Sequence, residues 1–384
     1  MSIRHSWHAR SAKGDNRNVK TLRLVVDPAR LDTANAQEAL ERAAQILRAG
    51  GLVALPTETV YGLGANALDR AAVERIFVAK QRPAWDPVIV HIAGPDFARA
   101  MLDQSVQEIP EPARKLMAAF WPGPLTLLLP RTSAVPDAVT AGRPLVGVRM
   151  PAHPVALELI RRAGVPVAAP SANIFGHISP TTADHVFEDL DGRIDAVLDA
   201  GPTTHGVEST VLDPGQSPMV IYRPGAVTAA QIRETAGAVE VYQSVLPTVP
   251  APQFQPPQSG LPSPGVGMRH YAPRARLVLV DAPRADLVEL QARIVEAALL
   301  WPGERVGIML PADVSWNFPG PTLHPWGRWS APEELAHGLY AGLRALDAQG
   351  CTVILCPVPP AKGIGAAIRD RLRKAVDPKQ GTRE

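Results

Sequence analysis

Short apolar runs that stop at a proline or glycine and hand over to polar side chains recur along this chain, and the first full example sets the pattern. Leu52 to Leu55 runs into Pro56, after which Thr57, Glu58, Thr59 and Tyr61 crowd hydrogen-bonding groups ahead of Gly62 and Gly64. That reads as a strand delivering a polar, glycine-flexed loop. Open α/β sheets present ligands at the carboxyl ends of their strands, which makes such a loop a site candidate. A tight turn with ordinary polar caps is the competing account, and this stretch alone leaves both standing.

The pattern repeats. Leu145 to Val148 ends at Arg149, Val165 to Ala169 breaks at Pro170 into Ser171-Ala172-Asn173, and Ala196 to Leu198 ends in Asp199-Ala200-Gly201-Pro202. Gly206-Val207-Glu208-Ser209-Thr210 leads into a strand at Val211, and Val220 to Tyr222 ends at Arg223-Pro224-Gly225. Polar residues at so many strand ends describe one site assembled from several loops. Between the strands, Asn35 with Glu38 resembles a capping box opening a helix through Leu40, Ala44 and Leu47 to Gly50. Val73, Ile76 and Phe77 mark a second helix ending at Lys80, before a strand over 88–92. Lys80 and Arg82 thus sit on a helix-to-strand turn, either holding phosphates or serving as dipole-favoured cations at a solvated helix end. Arg149 is placed for a bidentate clamp on a carboxylate, with a surface salt bridge as the alternative. Ser179 to Thr182 looks like a cap opening a helix through Val186 and Leu190. Ser171 lies in no G-x-S-x-G elbow and has no lysine four residues on, so binding suits it better than covalent catalysis.

With 384 residues, 46% of them hydrophobic and 20% charged, the chain has material for two cores. After Val241 a proline-rich linker begins, and it ends in Gly267-Met268-Arg269-His270-Tyr271-Ala272-Pro273, a polar and aromatic segment expected to fold over something. From Ala275 apolar runs at 277–280, 306–310 and 353–355 alternate with helical patterns near 284–299, 332–347 and 362–375, predicting a second, smaller α/β domain with a parallel sheet. The expected division is a tail and lead-in at 1–33, a first domain at 34–243, a linker or lid at 244–274, the second domain at 275–376 and a tail at 377–384. Residues 1–20 hold basic residues and little that is apolar, which predicts a mobile tail rather than a secretory signal, with an organelle transit peptide as the alternative because Asp15 is the only acid there. A net charge of +2 is too mild for a protein whose main work is gripping a nucleic-acid backbone. Cys351 and Cys356 read as buried thiols of a reducing, cytoplasmic compartment, and no apolar stretch has the length of a membrane span. No Walker lysine motif, complete dinucleotide fingerprint or paired metal-ligand spacing occurs; Gly363 and Gly365 are only a fragment of such a fingerprint.

The ordered set P-T-E-T-V-Y-G-L-G, K-Q-R-P, P-V-I-V-H-I, F-W-P-G-P-L-T, V-R-M-P, A-P-S-A-N, S-P-T-T, G-V-E-S-T-V-L-D and Y-R-P-G closely resembles the YrdC-like family of threonylcarbamoyl-AMP synthases. S-P-G-V-G-M-R-H-Y-A-P and the second domain resemble the long, two-domain form, so the likeness covers roughly residues 34–376. It implies an open twisted mixed α/β sheet with a smaller Rossmann-like C-terminal domain. It also implies a nucleotidyltransferase that joins L-threonine, bicarbonate or carbon dioxide, and ATP with Mg2+ into threonylcarbamoyl-adenylate and pyrophosphate. A separate tRNA threonylcarbamoyl transferase complex would use the adenylate downstream.

Carried over position by position, the resemblance implies Thr59, His91, Arg149, the backbone at Ala169, and Ser209 for L-threonine. For ATP it implies Lys80, Arg82, Asp86, Leu145, Ser171, Asn173, Ser179, Arg223 and His270, with Lys80 and Arg82 as the catalytic cations and no dedicated metal cage. Asp86 stands where the family commonly has asparagine, and Phe175 where a small or hydroxylic residue is usual. The rival from another class is a double-stranded RNA-binding module without adenylation activity, since a concave basic sheet could hold RNA. A second rival, the related domain of hydrogenase-maturation proteins, comes with zinc-finger and acylphosphatase segments that this sequence lacks.

Overall fold

The computed structural model describes residues 20–94, 96, 109–243, 261–263, 265–266, 270–282 and 286–376. Residues 1–19 of the expected tail and lead-in at 1–33, the expected tail at 377–384 and most of the proline-rich linker lie outside the described residues. In chain order the first part holds β1 (Leu22–Val25), α1 (Ala34–Arg48), β2 (Val53–Leu55), β3 (Gly62–Asn66), α2 (Arg70–Lys80) and β4 (Ile89–His91). It continues with α3 (Glu111–Phe120), β5 (Leu125–Pro130), α4 (Asp137–Thr140), β6 (Leu145–Arg149), α5 (Pro154–Ala163) and β7 (Val167–Ala168). Then come α6 (Ala183–Leu190), β8 (Ala196–Asp199), β9 (Thr210–Asp213), β10 (Met219–Arg223), α7 (Ala229–Ala236) and β11 (Val239–Val241). The second domain comprises β12 (Arg276–Asp281), α8 (Leu287–Leu299), β13 (Val306–Leu310), β14 (Thr322–Pro325), α9 (Pro332–Ala348), β15 (Val353–Val358) and α10 (Gly365–Ala375).

The first eleven strands make one mixed sheet in the order β1-β8-β2-β3-β7-β4-β6-β5-β9-β10-β11, and the last four make a parallel sheet, β12-β15-β13-β14. The expected fold class is therefore the observed one. On one face of the large sheet α1 and α5 bury Leu40, Leu47, Leu159 and Ile160 against Val53, Leu55, Val167 and Leu198. On the other, α2 and α6 bury Val73, Ile76, Val186 and Leu190 against Val90, Val146 and Val148. The period-two alternation of strands dictates the rest. With Val90 and Val148 facing α2 and α6, Ile89, His91, Leu145 and Arg149 face the opposite side, which α1 and α5 do not reach. There Ile89, Leu128 and Val211 form a separate small apolar cluster with Leu145 and Tyr222.

Several local expectations change. The Gly62-Leu63-Gly64 stretch is not a flexed loop but β3, hairpinned on β2 with Val53 opposite Gly64. Its glycine serves close packing: a Cβ on Gly64 would lie 2.8 Å from Leu55 Cδ2 and 2.9 Å from Val167 Cγ1. Helix α1 is capped by Thr33, whose hydroxyl accepts from Ala36 N, so Asn35 and Glu38 lie inside the helix. The lead-in holds β1, an edge strand parallel to β8 that closes the sheet. That strand and β14 were illegible because both are four-residue edge strands with little buried apolar surface.

Candidate functional site

Neighbouring parallel strands β4 and β6 end in register, with His91 opposite Arg149. Around that pair the other termini converge. β10 ends at Arg223 and antiparallel β9 begins beside Ser209 at the same edge, while β7, antiparallel to β4, passes His91 with Val167 opposite it and runs out beside Ile89 into Ala169-Pro170-Ser171. Together with Thr57 and Thr59 from the β2–β3 turn, these residues line one cavity, to which Arg82, Val88, Ile89, Glu208, Gly265, His270 and Tyr271 also contribute. Nine of the residues implied for threonine and ATP binding therefore meet at a single site: Thr59, Arg82, His91, Arg149, Ala169, Ser171, Ser209, Arg223 and His270.

Each polar wall residue is held by its neighbours. Arg149 pairs with Glu58 at 2.6 Å, donates from Nη1 to Thr59 Oγ1 at 2.9 Å and from Nε to the Gly123 carbonyl at 3.2 Å. It is thus no surface salt bridge. Burial pushes the Glu58 carboxyl up, but the Arg149 guanidinium outweighs it and holds the group below its usual range. Arg223 donates to the Ser209 carbonyl and hydroxyl, each at 3.1 Å, and the Ser209 hydroxyl lies 2.8 Å from that of Thr126. Burial, aided by Arg149, lowers the His91 imidazole to about 3, so it is neutral at physiological pH, and its Nδ1 is buried without a partner.

Lys80, Asp86, Asn173 and Ser179 stand behind the wall. Lys80 is buried, with Nζ donating to the Ser171 carbonyl at 2.5 Å and to that of Asn173. Burial, reinforced by Arg82, drives its pKa well down. In this conformation it shapes the Ser171–Asn173 loop and does not face the cavity as an open phosphate ligand. Asp86 meets a cation, not an anion, with Arg82 Nη2 at 2.9 Å; burial still raises its carboxyl. Asn173 donates to the Ile174 and His177 carbonyls at 2.8 and 2.9 Å. Ser179 donates to Glu208 Oε1 at 2.6 Å. Leu145 lies in the small apolar cluster, which shares Ile89 with the cavity.

The far wall comes from the segment before the second domain. His270 N donates to the Lys374 carbonyl at 3.1 Å, and the ring packs edge-on to Phe175 with centroids 4.8 Å apart. Burial, then Arg82, lowers His270 to about 3. Tyr271 adopts φ 65° and stacks on Tyr340 of α9. Sequence reasoning missed Glu58, Glu208, Tyr271, Tyr340 and Arg371. Glu58 and Glu208 adjoin assigned residues and could have been flagged as counter-charges, but nothing local announces Arg371, which meets Glu208 from 163 positions away.

Residues 45–225 match the Sua5–YciO–YrdC family model, described as telomere recombination, and residues 227–376 match the model described as the threonylcarbamoyl-AMP synthase C-terminal domain. The chain is 42% identical to the threonylcarbamoyl-AMP synthase of Pyrococcus abyssi over 89% of its length and 96% of the relative's. It is also 42% identical to that of Bacillus subtilis, over 93% and 98%. A crystal structure of Pyrococcus abyssi Sua5 complexed with L-threonine superposes with a TM-score of 0.80 at 40% identity, covering 92% of this chain and 97% of that one. None of these likenesses supports an RNA-binding module, and among the described residues no helix is long and apolar enough to cross a membrane. The chain belongs to the threonylcarbamoyl-AMP synthase family, enzymes of the nucleotidyltransferase type.

Proposed function

We propose that the cavity binds L-threonine, bicarbonate or carbon dioxide, and ATP, and joins them into threonylcarbamoyl-adenylate with release of pyrophosphate. The observation that carries this reading is the convergence of Arg82, Arg149 and Arg223 with Thr59, His91 and Ser209 on one buried pocket. Arg149, fixed by Glu58 and Thr59, holds the amino-acid carboxylate. The neutral His91 imidazole accepts from the threonine hydroxyl or ammonium, and Ser209 completes that side. The apolar cluster of Ile89, Leu128, Leu145, Val211 and Tyr222 receives the base, while Arg82 and Arg223 face the phosphates.

The threonine nitrogen attacks the carbon of carbon dioxide and loses a proton to give a carbamate. A carbamate oxygen then attacks the α-phosphorus in line, and the bond to the pyrophosphate oxygen breaks. The chain's part is to hold two anions that repel in water and to stabilise charge on the leaving pyrophosphate through fixed guanidinium groups. Mg2+ would neutralise phosphate oxygens. The fit of the site to it is through the nucleotide, because Glu208, the carboxylate on the wall, is already bonded to Arg371, Tyr340 and Ser179. The adenylate would pass to a tRNA-modifying transferase in the cytoplasm.

Gly265, His270 and Tyr271, from the segment before the second domain, form one side of the cavity. These three residues would then act as a gate that opens for ATP and closes over the adenylate. Ending the chain before residue 245 should lower product formation, and a fully active truncation would remove the gate from the account. The reaction itself is tested by mass spectrometry of products after incubation with ATP, Mg2+, bicarbonate and L-threonine, omitting each in turn. A threonylcarbamoyl-adenylate peak with matching pyrophosphate, absent without threonine or inorganic carbon, is expected. ATP left intact in the complete mixture would overturn the reading.

A further inference from the structure

Glu208 and Arg223 line the same cavity, yet the carboxylate is bonded to a different arginine. Glu208 Oε2 accepts from Arg371 Nε at 2.7 Å and from Tyr340 Oη at 2.9 Å, while Oε1 accepts from Ser179 Oγ at 2.6 Å. Arg371 lies on α10 of the second domain with its side chain 1% exposed. It is pinned there, since Nη1 also donates to Asp370 Oδ2 at 2.5 Å and the guanidinium sits over the Tyr271 ring at 5.4 Å. Lys374 balances Asp370 at 2.7 Å, leaving the Arg371 charge to Glu208. Arg223 bonds only Ser209 in the same wall and pairs with no carboxylate among the described residues.

The trio of two arginines and one carboxylate carries a net positive charge, and the division of partners decides where that charge is available. We propose that Arg371 is a positioning residue of the nucleotide site: by serving as the counter-ion of Glu208, it keeps Arg223 open to an anionic substrate. The second domain is then an electrostatic part of the cavity. Without Arg371 the buried carboxylate would have no cation except Arg223, which would turn from Ser209 toward it, and the wall would present no net charge to phosphate. The inference rests on the ATP reading above, and its test separates the two.

The measurement is the KM for ATP, followed through pyrophosphate release, for the wild type, Arg371→Met, Arg371→Lys and the double variant Arg371→Met/Glu208→Gln, with melting temperatures alongside. Arg371→Met should raise the KM for ATP by about tenfold or more, as loss of one usable phosphate contact does. Arg371→Lys, which keeps the charge, should lose less. The double variant should recover most of the loss, because the carboxylate that would capture Arg223 is gone. A merely structural role predicts that the KM for ATP rises only where the melting temperature falls, whereas the proposal predicts a raised KM in Arg371→Met protein that is still folded at the assay temperature. An unchanged KM in Arg371→Met, or a folded double variant no better than the single one, overturns the proposal. Should Arg371→Met fail to fold, the double variant still decides, because it buries no unpaired carboxylate: a KM for ATP near the wild-type value supports the proposal and a tenfold increase overturns it. Wild-type protein that forms no adenylate would instead sink the functional reading.

Discussion

Arg149 Nη2 stands 2.6 Å from Glu58 Oε1, with the two side chains only 4% and 7% exposed, so a carboxylate from the β2–β3 turn fixes the guanidinium at the end of β6. A long, mobile side chain becomes a rigid receptor for an anion. Arg149→Lys keeps the charge and loses the fork, so the KM for L-threonine should rise about tenfold or more. Glu58→Gln leaves Arg149 buried without its counter-charge and should cost about 3–5 kcal/mol of stability, read by calorimetry. A Glu58→Gln protein that melts like the wild type would show that the pair does not hold the turn.

Lys80 ties the second helix to the Ser171–Asn173 loop through two backbone carbonyls. Lys80→Met fills the same space and strands both acceptors, which predicts a stability loss of about 1–3 kcal/mol. The KM for ATP should change less than about tenfold, since the ammonium does not face the cavity. A collapse of kcat with an unchanged melting temperature would mean that Lys80 leaves these carbonyls and meets the phosphates during the reaction.

Acid should weaken the fold through its buried imidazoles before its carboxylates titrate. His91 and His270 are each lowered to about 3 from the ordinary 6.5, chiefly by burial. The unfolded chain therefore binds protons that the folded one refuses. The stabilisation is complete above the unfolded value and is lost as pH falls from 6.5 toward 3. Each imidazole contributes a slope of about 1.4 kcal/mol per pH unit within that window. Glu208, at about 2, adds its own loss only below the ordinary carboxylate value of 4.5. Denaturant unfolding between pH 6.5 and 5 should show the slope, and His270→Gln should reduce it by roughly one proton. An identical slope in that variant would contradict the assignment of a neutral His270.

Much of this architecture was legible because apolar runs and their proline or glycine stops are local. The runs at β2, β6, β10, β12, β13 and β15, and the polar residues that follow several of them, announce themselves within a few positions. What stayed hidden is long-range. Glu58 carries no sign of meeting Arg149, nor Glu208 of meeting Arg371, because each partner is set by strand order and domain docking. Lys80 shows the converse: a cation beside an arginine on a helix-to-strand turn looks like a phosphate ligand until folding brings two carbonyls to it. Gly64 was misread for a related reason, since a glycine chosen for close packing and one chosen for a turn look alike in sequence.

Gly206 marks the seam through which the second domain reaches the cavity. It has φ 70°, and a Cβ there would lie 2.5 Å from the carbonyl oxygens of both Ala336 and His337 on α9. His337 Nε2 lies 3.0 Å from the Thr203 carbonyl on the same turn, so the helix backbone is seated directly against this glycine. Gly206→Ala must therefore both strain the turn and lift α9, carrying Tyr340, and with it the α10 that packs on α9 and bears Arg371, away from Glu208. Gly201 is a matched control: its φ is 82° but a Cβ there would meet nothing within 4 Å, so Gly201→Ala should show backbone strain alone, about 1 kcal/mol. Gly206→Ala should lose about 1–3 kcal/mol beyond that control. It should also become more sensitive to protease between residues 243 and 276 and lose product formation while the first domain stays folded. Equal behaviour of the two variants would mean that the domains are not held together at this contact, and that Arg371 must be brought to Glu208 by other parts of α9 and α10.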